Sequence, residues 1–292
     1  MKIYLTWRLN PQDPPYWKYM EVDGILISLG NIMNSKRHMD HLISKGFKTC
    51  FNYRGKLIVD SLISSLWSHE NKAIPINVIF NIQVGLGADY IIQKDHPLVN
   101  KQLSQEAKQK ILQRNLDLAE VYLKLADKLG VEVITVAHGW NVESYTYSAR
   151  KLAEMGSNYI AIGSLVPLIK EGKLNQIKKI VKSIRHEIGR KTKLHLLGVL
   201  SPSMLNYLKN IVDSLDTSSH IRAAYLREIY YLTKDNIRRC KISKLGYHKL
   251  LKISLGDPIL ERAINEILSA KDFSKMKYWL SIYNARVLMK YR

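Results

Sequence analysis

The sequence predicts an α/β fold: a (β/α)8 TIM barrel followed by a basic helical extension. Three observations point there. Short apolar runs alternate with longer amphipathic ones from about residue 24 to 216, glycines punctuate the ends of the amphipathic runs, and polar residues suited to chemistry fall directly after the apolar runs. Strand, helix, strand repeated in this way argues for a parallel sheet with right-handed crossovers.

The apolar runs are Gly24–Leu29, Lys56–Val59, Tyr90–Ile92, Val131–Val136, Tyr159–Ile162, Leu194–Leu197 and Val212–Leu215. Several are rich in Val and Ile, as strands covered on both faces should be. Ser104–Leu129 is the clearest helix, with Ile111, Leu116, Leu118, Val121, Tyr122 and Leu125 on one stripe and Gly130 as its C-cap. Ser144–Met155 ends at Gly156 and Asn175–Ile188 at Gly189. Seven units imply a closed barrel whose eighth strand composition does not mark. Periodicity alone does not close the sheet, so an open doubly wound sheet is the alternative.

The barrel is assigned to residues 1–222. Residues 223–292 read as helical throughout, interrupted near Gly246 and at Gly256-Asp257-Pro258, and packing on or extending the barrel. This segment carries fifteen Lys/Arg against six Asp/Glu, interleaved with Tyr225, Tyr230, Tyr231, Tyr247, Tyr278, Trp279, Tyr283 and Tyr291. Cations alternating with aromatics suit a nucleic-acid surface, and Arg222, Arg238, Arg239 and Lys241 are the candidate contacts. The same spacing also suits core aromatics beneath a solvated charged face.

With 45 Lys+Arg against 25 Asp+Glu in 292 residues, the net charge is +20. That excess favours a polyanionic partner, since each neutralised phosphate releases condensed counterions. Two cysteines, Cys50 and Cys240, supply neither a disulfide framework nor a Cys-rich zinc site. The opening Lys2-Ile3-Tyr4-Leu5-Thr6-Trp7 is too short and polar for a signal peptide, and no run approaches the ~20 apolar residues of a membrane span. The expectation is a cytoplasmic protein with no membrane partner.

The residues after the strands are the informative ones. Val59 runs into Asp60-Ser61, Ile92 leads through Gln93-Lys94 to Asp95, Ala137 meets His138-Gly139-Trp140, and Ile162 meets Gly163-Ser164. Leu197 meets Gly198, and Leu215 meets Asp216-Thr217-Ser218-Ser219. In a parallel barrel these ends converge on one rim, where active sites of this fold are built. A single Asp there is equally well explained as a helix N-cap. Three Asp, one His and two Gly on one rim are not.

These segments resemble the tRNA-guanine transglycosylase superfamily, the queuine and archaeosine tRNA-ribosyltransferase-like proteins. Leu57-Ile58-Val59-Asp60-Ser61 is similar to the family strand ending Asp-Ser-Gly-Gly, with Leu62-Ile63 in place of the glycines. Leu86-Gly87-Ala88-Asp89-Tyr90-Ile91-Ile92-Gln93-Lys94-Asp95 is similar to the segment carrying the base-reading aspartate. Ile162-Gly163-Ser164-Leu165 resembles the family's Gly-Gly-Leu. His195-Leu196-Leu197-Gly198-Val199, followed by Val212-Asp213-Ser214-Leu215-Asp216, resembles the pair that delivers the nucleophile.

The chain departs from that pattern in the zinc site that follows the nucleophile, which two cysteines cannot supply. It departs again at Ser64, where the family places an aromatic that stacks on the base, a role Trp67 or Trp140 could take over. A third departure is His138-Gly139, where Gln-Gly is usual. The run Asp216-Thr217-Ser218-Ser219, with Tyr230-Tyr231 downstream, is similar to the branch that inserts 7-deazaguanines into DNA.

The resemblance implies exchange of guanine for a 7-deazaguanine (preQ0-like) base, in DNA or alternatively tRNA, without cofactor or metal. Asp216 would be the nucleophile and Asp60 the general acid/base, its pKa raised by burial near another carboxylate. Asp95 would accept from guanine N1–H and the 2-amino group, while His138 and the backbone near Ser164 would donate to O6. Gly139, Gly163, Leu197 and Gly198 would complete the base site. Other readings are an RNA enzyme without the zinc module, a non-catalytic nucleic-acid-binding paralogue, and a barrel enzyme acting on a phosphorylated or sugar substrate. The sequence leaves open whether the chain works alone or as a homodimer.

Overall fold

The computed structural model describes residues 1–33, 35–61, 74–98, 102–198, 204–233, 236–245 and 256–291. Leu62, Ile63, Ser64, Trp67, Val199, Gly246 and Tyr247, singled out above, lie outside the described residues.

Eight parallel strands close into a barrel in sequence order: β1 (Lys2–Thr6), β2 (Gly24–Ser28), β3 (Lys56–Asp60), β4 (Tyr90–Ile92), β5 (Glu132–Ala137), β6 (Tyr159–Ile162), β7 (Lys193–Leu196) and β8 (Ser214–Thr217). Closure is made by β1 pairing with β8, with Tyr4 opposite Asp216. This settles the sheet as a closed (β/α)8 barrel. The strand that composition did not mark is β1.

The helices are α1 (Leu29–Ile32), α2 (Lys36–Lys45), α3 (Phe47–Phe51), α4 (Ile76–Gly85), α5 (Gln105–Leu129), α6 (Val142–Glu154), α7 (Val166–Lys170), α8 (Leu174–Ile188), α9 (Leu205–Leu208), α10 (Ser219–Tyr225), α11 (Pro258–Leu268) and α12 (Phe273–Tyr291). Capping explains where α5 and α6 start. The Ser104 hydroxyl accepts from Ala107 N–H ahead of α5, and Asn141 with Ser144 forms a reciprocal capping box on α6.

Strand side chains alternate between the helical layer and the barrel interior. Ile3 and Leu5, Ile25 and Ile27, Leu57 and Val59, Ile160 and Ile162, Leu194 and Leu196, and Leu215 join the large cluster beneath the helices. The opposite phase fills the interior with Tyr4, Leu26, Ile58, Ile92, Ile134, Val136, Tyr159 and Ala161. One step further toward the C-terminal rim, that inward phase reaches Ser28, Asp60, His138, Gly163, Leu197 and Asp216. The apolar barrel filling therefore gives way to polar side chains at one level, set by strand periodicity alone.

The C-terminal segment is helical in α10, α11 and α12, as the sequence predicted, but Glu228–Leu232 and Ile237–Lys241 are not. β9 (Glu228–Leu232) and β10 (Ile237–Lys241) form an antiparallel hairpin, which the aromatic and β-branched content of Ile229-Tyr230-Tyr231 favours. α12 is built into the main core through Leu280, Ile282, Tyr283, Val287 and Leu288. Tyr16 and Ser281 share a hydrogen bond of 2.8 Å, and Asn284 accepts from Tyr230 N–H at 2.8 Å and donates to Glu228 O at 3.0 Å. Tyr230, Trp279 and Tyr283 are buried, so core packing accounts for those three aromatics, whereas Tyr225 is exposed. Cys50 and Cys240 are half-buried and form no disulfide. Among the described residues no helix is long and apolar enough to cross a membrane.

Candidate active site

Asp216 lies within β8 rather than after it, because the strand begins two residues later than the apolar run Val212–Leu215 implied. Asp213 stays outside the strand, its Oδ2 paired with the Arg185 guanidinium and accepting from Leu194 N–H at 2.7 Å. Asp216 thus points into the barrel and is not a helix cap. Its Oδ1 accepts from Gly198 N–H at 2.8 Å and lies 3.2 Å from His195 Nε2.

His195 is fully buried and has a second contact, Nδ1 to Ser214 Oγ at 2.7 Å, while Tyr159 OH meets the same Oγ at 2.6 Å. Burial first of all pushes the Tyr159 phenol up, so it stays a donor. One proton arrangement satisfies every atom: Tyr159 donates to Ser214, Ser214 donates to Nδ1, and Nε2–H donates to the Asp216 carboxylate. The sequence reading used His195 only as part of a motif. Its position between Leu194 and Leu196, both facing the helices, was the signal that it points inward.

A second arrangement of the same kind spans the ends of β4, β5 and β6. His138 Nε2 is 2.6 Å from Asp95 Oδ2, and His138 Nδ1 is 2.9 Å from Ser164 Oγ. Ser164 Oγ also accepts from Leu98 N–H at 2.9 Å, and when its own proton is given to Nδ1, Nε2–H donates to Asp95. Both ring nitrogens of His138 are therefore engaged. The expectation that His138 donates to a guanine O6 stands beside this arrangement, in which the imidazole contacts Asp95 and Ser164.

Ser164 holds a left-handed backbone (φ 58°), rare without glycine, and its hydroxyl's two bonds fix it there. Gly163 has no room for a side chain, since a Cβ would sit 2.4 Å from His138 Cε1. The segment bearing Asp95 is pinned from α5: Asn115 Oδ1 accepts from His96 N–H at 2.7 Å, and Asn115 Nδ2 donates to His96 O at 2.9 Å. Gln93, fully buried, donates to Asn115 O at 3.0 Å and accepts from Val136 N–H at 3.1 Å.

Asp60 ends β3 opposite Ser28 of β2, and the alternation Ile58 inward, Val59 outward turns it into the mouth. Burial, and then the negative charges of Asp60 and Asp95, push the enclosed Tyr122 phenol above its ordinary range, so both carboxylates act on one buried ring. Gly139 and Ser164 line a cavity of about 250 Å³ shared with Trp140, Tyr145 and Lys173. Leu197 packs against the barrel interior, and Gly198 takes a φ of 64° to present its N–H to Asp216. The candidate nucleic-acid contacts are more scattered. Arg222 is exposed on α10, whereas Arg238 and Arg239, neighbours on β10, project to opposite faces of the hairpin. Lys241 is exposed at the end of β10 and donates to Leu226 O.

Comparison with known proteins agrees with this architecture. The family model described as queuine tRNA-ribosyltransferase matches residues 24–254, from β2 past the C-terminal hairpin. A stretch of 111 residues is 33% identical to a DNA-guanine transglycosylase of Salmonella montevideo, covering 38% of this chain and 26% of that protein. A tRNA-guanine(15) transglycosylase of Pyrococcus furiosus is 24% identical over 291 residues, 96% of this chain and 47% of that protein. A tRNA-guanine(15) transglycosylase of Pyrobaculum aerophilum is 24% identical over 204 residues, covering 68% and 40% respectively. The chain spans between about a quarter and just under half the length of these curated relatives. With most of its length matched by the family model, including strands β2 to β8 of the barrel just described, the chain belongs to the queuine tRNA-ribosyltransferase family.

Proposed function

We propose that this chain is a guanine transglycosylase that replaces a guanine in nucleic acid with a 7-deazaguanine base, and that its polymer is DNA. The observation that carries the proposal is the Asp216 carboxylate, directed into the barrel mouth and held by Gly198 N–H and His195. Such a carboxylate is suited to attack a sugar C1′, and the chemistry then follows a retaining double displacement.

In the first step a bond forms between an Asp216 oxygen and C1′ while the C1′–N9 bond breaks. Asp60 supplies the proton that lets guanine leave as a neutral base. In the second step the incoming base loses its N9 proton to Asp60 as N9 bonds to C1′, and Asp216 departs as a carboxylate. Two inversions give net retention. Asp95, oriented by His138, accepts from N1–H and the 2-amino group of either base. Gly139, Gly163, Ser164, Leu197 and Gly198 shape the surrounding walls. A site satisfied by those donors rejects adenine, because an unpaired buried carboxylate is costly. The target base leaves its stack to reach the pocket.

Residues 1–222 carry all of this chemistry. The C-terminal segment adds basic surface, and Arg222, together with either Arg238 on one face of the hairpin or Arg239 and Lys241 on the other, would contact the strand backbone. DNA is favoured by the run Asp216-Thr217-Ser218-Ser219 and by the 33% identity to a DNA-guanine transglycosylase. The second reading, tRNA, is favoured by the match over 96% of this chain to a tRNA-guanine(15) transglycosylase. Incubation with guanine-labelled duplex DNA and guanine-labelled tRNA separates them, label loss from tRNA alone removing the preference for DNA. Asp216→Ala is expected to abolish exchange and the covalent glycosyl adduct while nucleic-acid binding persists. Normal exchange by that variant refutes the mechanism.

A further inference from the structure

We propose that Arg8, Lys277 and Tyr225 form a phosphate-binding clamp beside the barrel mouth, taking a backbone phosphodiester of the substrate strand close to the nucleotide undergoing exchange. This rests on the nucleic-acid reading above and adds a site to it, separate from Arg222, Arg238, Arg239 and Lys241.

The three residues come from distant parts of the chain. Arg8 lies two residues beyond the C-terminal end of β1, Tyr225 ends α10, and Lys277 is on the first turns of α12. Lys277 Nζ sits 4.4 Å from the Tyr225 ring centroid and 3.3 Å from its hydroxyl, and the Arg8 guanidinium lies 5.2 Å from the same centroid. Two cations therefore share one exposed aromatic ring.

Their counter-charges are unequal. Arg8 is met by Asp13 in a two-pronged pair, Nε to Oδ2 at 2.7 Å and one terminal nitrogen to Oδ1 at 2.6 Å. Lys277 is only 4% exposed, yet its partners are the neutral Gln12 Oε1 at 2.6 Å and the Tyr225 hydroxyl. Among the described residues no carboxylate pairs with it. Burying an ammonium without an anion is unfavourable, and a fold that retains one leaves a site for an anion from outside. Gln12, which holds the ammonium in the free protein, is exposed and can give way. The Tyr225 phenol reports the same field: Arg8 first, and Lys277 next, hold it below its ordinary range.

The position selects the ligand. β1 pairs with β8 so that Tyr4 faces Asp216, and Arg8 is four residues further along the same direction. At ~3.3 Å per residue the Arg8 backbone lies roughly 13 Å beyond the level of Asp216 along the strand direction, on the side of the mouth where phosphates would flank its sugar. A planar guanidinium beside a compact ammonium is a donor set suited to the two free oxygens of a phosphodiester.

The test is the salt dependence of binding, measured with labelled guanine-containing duplex DNA, and with tRNA, between 50 and 200 mM salt. Removing one phosphate contact makes the slope of log K against log[salt] shallower by about 0.9 for a duplex and about 0.7 for a single strand. Lys277→Gln is expected to show that change, and Lys277→Arg to retain the wild-type slope. Tyr225→Leu, at an exposed position, carries the test if Lys277→Gln does not fold, and is expected to weaken binding and flatten the slope. Wild-type slopes in Lys277→Gln or, failing its folding, in Tyr225→Leu overturn the clamp while leaving the transglycosylase reading intact. Failure of the wild-type protein to bind either polymer overturns both.

Discussion

His195→Leu is the substitution that tests how the proposed nucleophile is held. Leucine keeps much of the volume of the fully buried imidazole but removes both ring nitrogens, so among the described residues Asp216 Oδ1 retains the Gly198 N–H as its partner. A hydrogen bond to a charged group contributes about 1.5–3 kcal/mol. The His195–Asp216 contact, at 3.2 Å, is longer than the ~2.7–2.9 Å of strong charge-assisted bonds, which places it at the lower end. A loss of about 1.5 kcal/mol is roughly tenfold in rate. The assay is single-turnover formation of the covalent glycosyl-enzyme, followed on a denaturing gel with a labelled oligonucleotide or tRNA, whichever the wild type exchanges. His195→Gln, which can place an amide N–H near the carboxylate, is expected to recover part of the rate. Ser214→Ala, which leaves the imidazole but removes the donor that sets its tautomer, is expected to fall between His195→Leu and wild type. A His195→Leu rate within twofold of wild type refutes the reasoning. So does a loss as complete as that of Asp216→Ala, which would make His195 a participant in the chemistry rather than a positioning residue.

Two further outcomes follow from the structure. His220 is fully buried with both ring nitrogens unpartnered, and burial, then Arg8, lower its pKa from 6.5 to about 3. The unfolded chain therefore binds a proton that the folded chain refuses, so stability is full above pH 6.5 and falls as pH drops from there toward 3. By linkage the wild-type protein loses about 1.3 kcal/mol between pH 7 and 5.5 that His220→Phe does not. Urea unfolding of both proteins at the two pH values checks this, and a pH-independent difference between them contradicts it. Gly163→Ala would drive a Cβ to 2.4 Å from His138 Cε1, displacing the imidazole from Asp95. A rise of at least about tenfold in KM for the incoming base is expected, consistent with about 1.4 kcal/mol of lost positioning. A near-normal KM would separate His138 from base reading.

The barrel was legible because seven strands announce themselves by short apolar runs, several rich in Val and Ile, followed by polar residues. β1 did not, since Lys2-Ile3-Tyr4-Leu5-Thr6 has polar ends, no preceding turn signal and a large aromatic at its centre. Its strand character comes from tertiary pairing: Lys2 N–H donates to Asp213 O at 2.8 Å, and Tyr4 fills the interior beside His195. The hairpin β9–β10 was read as helix because Arg, Lys and Glu dominate its surroundings, whereas its pairing depends on contacts with Asn284, more than fifty residues away. Composition also suggested one basic patch, but Arg238 and Arg239 alternate across a strand and cannot share a face. The rim residues were found by order alone. Their partners could not be, because nothing in a linear reading says that His138 meets Asp95 while His195 meets Asp216.

Those two pairs explain why the barrel invests its inward positions in histidine. Each carboxylate receives an Nε2–H whose tautomer is imposed by a serine hydroxyl on Nδ1, and each serine is oriented by a further donor: Leu98 N–H for Ser164, and Tyr159 OH for Ser214. In the proposed exchange Asp216 must be a good nucleophile in the first displacement and a good leaving group in the second. Asp95 must read the departing base and its replacement with the same geometry. Both tasks are symmetric in time, so a partner that holds the carboxylate without exchanging protons with it serves better than a general acid, which would favour one direction. An imidazole held by a serine at its other ring nitrogen is such a partner. On this argument the proton that passes between the outgoing and incoming bases falls to Asp60, the remaining carboxylate turned into the mouth at the end of β3.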